Sequence, residues 1–129
     1  RVYLLREGLL EQVTKDHSHV QALIDAHRLT PQEARTDPRR NVVTRALGGG
    51  INDAGVPDTH LLPVRGGDRI LVCSDGLSDE LDDEALATVL GAGLSPQRAA
   101  EMCVAAALEA GGHDNATALV VDMPAREGT

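Results

Sequence analysis

Arg69-Ile70-Leu71-Val72-Cys73-Ser74-Asp75-Gly76-Leu77-Ser78-Asp79 is the stretch around which the chain is organised. Ile70 to Cys73 is a continuous apolar run, the pattern of a strand buried on both faces. It stops at a small hydroxyl residue, a carboxylate and a glycine. A carboxylate held where rigid backbone leaves a sheet is placed to meet a metal or a substrate. Asp-Gly is equally an ordinary turn dipeptide. A second element, Gly111-Gly112-His113-Asp114-Asn115-Ala116-Thr117, precedes another apolar run, Ala118 to Val121. There the glycines close a helix, a polar pair follows, and a strand begins. Asp75 and Asp114 are therefore two strand-edge aspartates able to converge on one cation, with the capping of two turns as the alternative. Carboxylate ligation without a Cys or His cluster favours a hard ion such as Mg²⁺ or Mn²⁺.

Composition bounds the rest. At 129 residues the chain has the length of one small domain. Phe and Trp are absent and Tyr3 is the lone aromatic, so the core must come from Leu, Val, Ile and Ala. The net charge of −8 makes nucleic acid an improbable partner. Cys73 and Cys103 both lie in apolar stretches and read as reduced, buried thiols of a cytoplasmic protein. No apolar run has the length of a membrane span, and no signal peptide is visible.

Read in order, Val2 to Leu5 and Leu9 to Val13 flank Arg6-Glu7-Gly8 as a β-hairpin. Asp16-His17-Ser18 offers caps for a helix whose Val20, Leu23, Ile24 and His27 share helical spacing. Thr30-Pro31-Gln32-Glu33 is a capping box with proline in the first turn. Asp37-Pro38-Arg39-Arg40-Asn41 breaks that helix, and Val42 to Leu47 reads as strand-like. Gly48 to Gly50 and Asn52 to Pro57 read as a flexible connection. His60 to Val64 reads as a strand, and Arg65-Gly66-Gly67-Asp68 turns into the central one. Asp79 or Asp82 caps a helix to about Leu90, and Ser95-Pro96 opens a last helix ending at Gly111-Gly112. The order predicts an α+β domain with helices on a mostly antiparallel sheet. Asp79, Asp82 and Asp83 read as helix-start charges rather than ligands. His17 and His19 are two apart, and His27, His60 and His113 are isolated, so no zinc site is expected.

Ser74-Asp75-Gly76-Leu77 and Gly112-His113-Asp114-Asn115-Ala116-Thr117 resemble the last two motifs of the metal-dependent serine/threonine protein phosphatases of the PPM, or type 2C, family. Thr44-Arg45-Ala46-Leu47-Gly48 and Arg1 to Gly8 resemble further family segments, bacterial members most closely. The resemblance runs from Arg1 to Asp122. It implies part of an α-β-β-α sandwich, with residues 1–129 as the C-terminal part of one catalytic domain whose N-terminal half is missing. The start at Arg1 rather than Met, in mid-strand, fits that expectation.

The resemblance further implies hydrolysis of phosphoserine and phosphothreonine on phosphorylated protein substrates by a metal-bridged water. Asp75 and Asp114 would be ligands in a site for two Mn²⁺ or Mg²⁺ ions, a third ion being possible. Ser74, Gly76 and Asn115 would support them: Ser74 and Gly76 shape a turn, and Asn115 orients its loop by side-chain bonds to backbone. Residues 17–52 would match a flap beside the metals, in which Arg39, Arg40, Asn41 and Arg45 influence substrate access. Asn41 stands where some relatives carry serine, against a third-metal contact there. The family's remaining metal aspartate and its phosphate-binding arginine belong to the N-terminal half, so this chain alone is expected to be inactive. Two rival expectations are an anti-sigma-factor-antagonist phosphatase of the same fold and a non-catalytic interaction module with a degenerate site.

Overall fold

Paired strands with alternating side chains build the larger part of the fold. A computed structural model describes residues 1–48 and 56–126. The strands are β1 (Val2–Arg6), β2 (Leu9–Gln12), β3 (Arg69–Cys73) and β4 (Ala118–Asp122). The helices are α1 (His19–Asp25), α2 (Pro31–Thr36), α3 (Asp75–Ser78), α4 (Asp83–Leu90) and α5 (Pro96–Glu109). All four strands form one antiparallel sheet in the order β2-β1-β3-β4. Residues Lys15–His60, with α1 and α2, make a unit separate from the sheet and its helices.

The register explains the core. Tyr3 pairs with Leu71, and Leu71 with Val120. Successive side chains alternate faces, so these three share one face with Cys73. Against it pack Leu77, Leu81, Leu86, Leu90, Ala99, Cys103 and Ala107. Tyr3 is fully buried, and its hydroxyl accepts a 2.8 Å hydrogen bond from Arg1 Nη1. Cys73 and Cys103 are buried and unbridged. Burial pushes the Cys103 thiol up to about 11, which keeps it protonated.

The opposite face differs from expectation. Val72 and Leu119, paired on one rung, and Val121, two rungs along the same face, are 40, 58 and 38% exposed. β3 is thus buried on its helical side only. A four-residue apolar run reads alike whether or not the chain itself covers the second face, which is why the sequence suggested two-sided burial.

Local capping chemistry set the helices as read. Ser18 Oγ accepts from Gln21 N at 3.2 Å, Thr30 and Glu33 form the capping box, Asp82 accepts from Ala85 N at 2.9 Å, and Ser95 accepts from Arg98 N at 3.3 Å. Asp82 and Asp83 are therefore helix-start residues. Four readings are corrected. His27 lies past the end of α1 with φ +58°, its amide donating to Ile24 O, a left-handed stop rather than a continuing turn. Val42 to Leu47 makes a single bridge, Ser18 to Val43, because the partner segment turns into α1 at His19. His60 to Val64 joins no ladder: Leu61 is 99% exposed and Pro63 has no amide to donate. Asp75-Gly76 opens a one-turn helix rather than a bare turn. Of the expected flexible connection, residues 49–55 lie outside the described residues.

Asp68 read as a turn residue and is 2% exposed. Arg6 grips both its oxygens, Nε to Oδ1 at 2.9 Å and Nη2 to Oδ2 at 2.6 Å, and Arg65 N donates to Oδ2 at 2.7 Å. The Arg6 bond holds its carboxyl down to about 2, against an ordinary 3.8. A depressed folded value means the contribution to stability is complete above the unfolded value and fades as pH falls toward the folded one. Asp68→Asn should therefore lower the urea midpoint at pH 7 and flatten the loss of stability between pH 4 and pH 2. An unchanged acid limb would contradict the role of this pair. Leu71 is fully buried, so Leu71→Ala should cost about 2–5 kcal/mol in the same titration.

Candidate functional site

The site is built where β3 and β4 run out. Cys73 pairs with Ala118 on the last rung, so the chain leaving β3 and the chain entering β4 emerge side by side. Ser74 then continues the contact with side chain as well as backbone. Its amide donates to Thr117 O at 3.1 Å, and its Oγ accepts from Thr117 N at 2.9 Å. Ser74 precedes α3 without capping it by side chain, because the hydroxyl is directed to the neighbouring loop.

Gly76 is fixed by that same closeness. A Cβ there would collide with the carbonyl oxygen of Asn115 and lie 2.8 Å from its carbon. Only glycine lets α3 approach the 114–116 loop. Asp75 opens α3, and Asp114 sits on the facing loop with its Oδ1 accepting from Asn115 N at 2.7 Å. The Asn115 hydrogen bond is thus the reverse of expectation: its backbone orients the Asp114 carboxylate, and among the described residues its exposed side chain makes no hydrogen bond.

Both aspartates are exposed. Elsewhere Asp25, Asp37, Asp58, Asp68 and Asp122 are matched with Lys15, Arg39, Arg45, Arg6 and Arg69. Among the described residues Asp75 and Asp114 make no ion pair. Oxygen donors on rigid, closely set supports without a protein counter-charge suit a hard cation. Among the described residues no group of three His, Cys, Asp or Glu side chains gathers to hold an ion.

The other residues singled out in the sequence lie in the Lys15–His60 unit. Arg39 donates to both oxygens of Asp37, at 3.0 and 2.9 Å, and Arg40 Nη1 donates to Asp37 O at 3.3 Å. The Arg39 side-chain and backbone bonds hold the Asp37 carboxyl down to about 2. Arg45 meets Asp58 Oδ1 at 3.1 Å, and His17 Nε2 lies 2.6 Å from Asp58 Oδ2. Asn41 is exposed in the turn after α2. Arg39 and Arg45 are engaged with carboxylates of their own unit, and Arg40 with a backbone carbonyl of it. Sequence reasoning missed Glu80 and Thr117 at the site, since neither residue type nor local spacing signals a contact across more than thirty positions.

Introducing a methyl group at the crowded α3 contact tests this arrangement. Gly76→Ala should destabilise the protein by about 1–3 kcal/mol, the range for overpacking. A melting temperature equal to the parent's would mean that α3 and the 114–116 loop are not in contact.

No family model matches the chain. Serine/threonine protein phosphatase PstP of Mycobacterium tuberculosis is 45% identical over 125 residues, which are 95% of this chain and 23% of PstP. The PPM Ser-Thr phosphatase MsPP of Mycobacterium smegmatis, solved in complex with cacodylate, superposes with a TM-score of 0.81 at 38% identity, covering 95% of this chain and 51% of that one. The catalytic domain of PstP in complex with two manganese ions gives 0.71 at 40% identity, covering 95% of this chain and 50% of that one. The chain therefore spans about half the length of these solved relatives, and less than a quarter of PstP as a whole. Among the described residues no helix is long and apolar enough to cross a membrane.

Proposed function

As a stretch that belongs to the PPM-type serine/threonine protein phosphatases, the chain is part of a phosphatase fold, and we propose that the protein carrying it hydrolyses phosphoserine and phosphothreonine on proteins with Mn²⁺ or Mg²⁺. The observation that carries this reading is the pair Asp75 and Asp114, left without a protein counter-charge on two loops that Ser74 and Thr117 bind together. The chain would be the C-terminal part of the catalytic domain. Its apolar sheet face, with Val72, Leu119 and Val121 open, is where the other half of the sandwich would pack. Residues Lys15–His60, a unit of their own, would serve as the flap, with Arg39, Arg40, Asn41 and Arg45 on the substrate's approach. Buried, unbridged Cys73 and Cys103 fit a reducing, cytoplasmic setting.

Asp75 and Asp114 would hold the ion from two backbone supports. When bound, divalent ions of this kind neutralise phosphate charge and acidify water enough for attack at neutral pH. The chain's own residues do the positioning. Asn115 N turns Oδ1 of Asp114, Gly76 admits the close approach of α3, and Ser74 keeps the two loops in step.

Activity and metal binding test the assignment together. In the full-length protein, Asp75→Ala and Asp114→Ala should each reduce Mn²⁺-dependent hydrolysis of p-nitrophenyl phosphate and a phosphothreonine peptide by more than the roughly 10–100-fold that loss of an outer partner costs. Both should also weaken Mn²⁺ binding in calorimetry. Full activity in either variant would remove that residue from the site. The chain expressed alone should be inactive with Mn²⁺, and metal-dependent turnover by it would show that two carboxylates suffice.

A further inference from the structure

The loop that carries Asp114 is held at both ends, at Thr117 by Ser74 and at His113 by Glu80. Glu80 follows α3 with its side chain only 11% exposed. Its Oε1 accepts from the backbone amide of His113 at 3.1 Å and lies 2.6 Å from His113 Nδ1. Gly111 leaves room for this contact: a Cβ there would lie 2.9 Å from Glu80 Oε2 and 2.5 Å from His113 Cε1. His113 is the residue before Asp114, and its ring is 81% exposed. The ring is therefore an outer flank, whereas the bond from the amide to the sheltered carboxylate holds the backbone of the loop directly.

The segment from Ser74 to Glu80 thus touches the segment from His113 to Thr117 at three points. Ser74 meets Thr117, Gly76 meets Asn115, and Glu80 meets His113. Asp75 and Asp114 lie between the outer two. We propose that Glu80 is a positioning residue for the metal site, fixing the separation of Asp75 and Asp114 by clasping the His113 amide. Without it the loop keeps its ties to α5 at Gly112 and to Ser74 at Thr117 but loses its hold at His113, the residue before Asp114, whose carboxylate must then be ordered when the ion binds. That entropy cost falls on affinity for the ion. At saturating metal the same ligands are in place, so turnover is little changed. The proposal rests on the assignment of Asp114 as a ligand.

The test is a set of variants in the full-length protein, read by Mn²⁺ calorimetry, by deuterium exchange of residues 110–116 without metal, and by kcat at saturating Mn²⁺. Glu80→Ala should weaken Mn²⁺ binding by about 10–100-fold, the range for outer partners of a metal ligand, speed exchange in the loop, and change kcat less than about threefold. Glu80→Gln keeps an acceptor for the amide and should recover most of the affinity. His113→Ala keeps the backbone bond and should lose less than Glu80→Ala. Parental affinity and exchange in Glu80→Ala would overturn the proposal. So would equal losses in Glu80→Gln and Glu80→Ala, which would make charge rather than the clasp the cause. If Glu80→Ala does not fold, the Gln and His113 variants decide on the same readouts. Asp114→Ala separates the two assignments: undiminished Mn²⁺ binding there ends the ligand reading itself, whereas its loss beside an unchanged Glu80→Ala ends only the clasp.

Discussion

The pairing of β3 with β4 is the constraint on which everything else depends. Five rungs run from Arg69 with Asp122 to Cys73 with Ala118. A slip by one residue would send Leu71 and Val120 to the open face and Val72 and Leu119 into the helices. Hydrophobic burial opposes that slip along the whole ladder, and at its first rung a charged pair opposes it as well. Arg69 Nε and Nη2 reach the two oxygens of Asp122 at 2.6 and 2.8 Å. The same guanidinium donates to Leu90 O at 2.9 Å and Leu94 O at 2.6 Å, which ties the end of α4 to the sheet. Asp122 remains 38% exposed, so the pair contributes more to register than to net stability. With the register set at Arg69, the loops beyond Cys73 and Ala118 have no choice but to meet.

Burial on one side of the sheet shapes the energetics. The core is built from Leu, Ala, Cys and Val around Tyr3, and small alanines on α5 let that helix lie close to the strands. Such a core gains less area per residue than an aromatic one. On the second face Leu4 is buried, whereas Val72, Leu119 and Val121 on β3 and β4 stay open and give up more.

What the sequence made legible was local in origin. Thr30, Pro31 and Glu33 act within one turn of backbone, as do Ser95 with Pro96, and both starts stand where they were read. Of Asp79 and Asp82, the two readings for the start of α4, Asp82 is the cap and Asp79 closes α3 instead. Strands β1 to β4 were legible because alternation and apolar runs need no partner to be seen. Val42 to Leu47 and His60 to Val64 carry strand-like residues yet make no strand, since a strand exists only by pairing. That depends on which edges remain open. The same limit governs the site. The Asp75 and Asp114 motifs were visible in the sequence, whereas Glu80 on His113, Ser74 on Thr117 and Arg6 on Asp68 join residues 33, 43 and 62 positions apart. Nothing in any one of those segments names its counterpart.

The distribution of charge separates what holds the fold from what the fold holds ready. The chain has 20 acidic side chains against 12 lysines and arginines, so not every carboxylate can be matched. Arginine goes to Asp68 under the hairpin, to Asp122 at the end of the ladder, and to Asp37 and Asp58 in the smaller unit. Asp68 and Asp37 also accept backbone amides, from Arg65 and Arg39. Asp75 and Asp114 fix none beyond the Asn115 amide, although the chain positions both with two hydrogen bonds at Ser74 and a glycine that no larger residue can replace. Their exposure keeps the cost of leaving them unmatched small in water. Their proximity to one seam raises the local negative potential, which attracts cations. Rigid support without a protein counter-charge stabilises the fold little and serves an ion well.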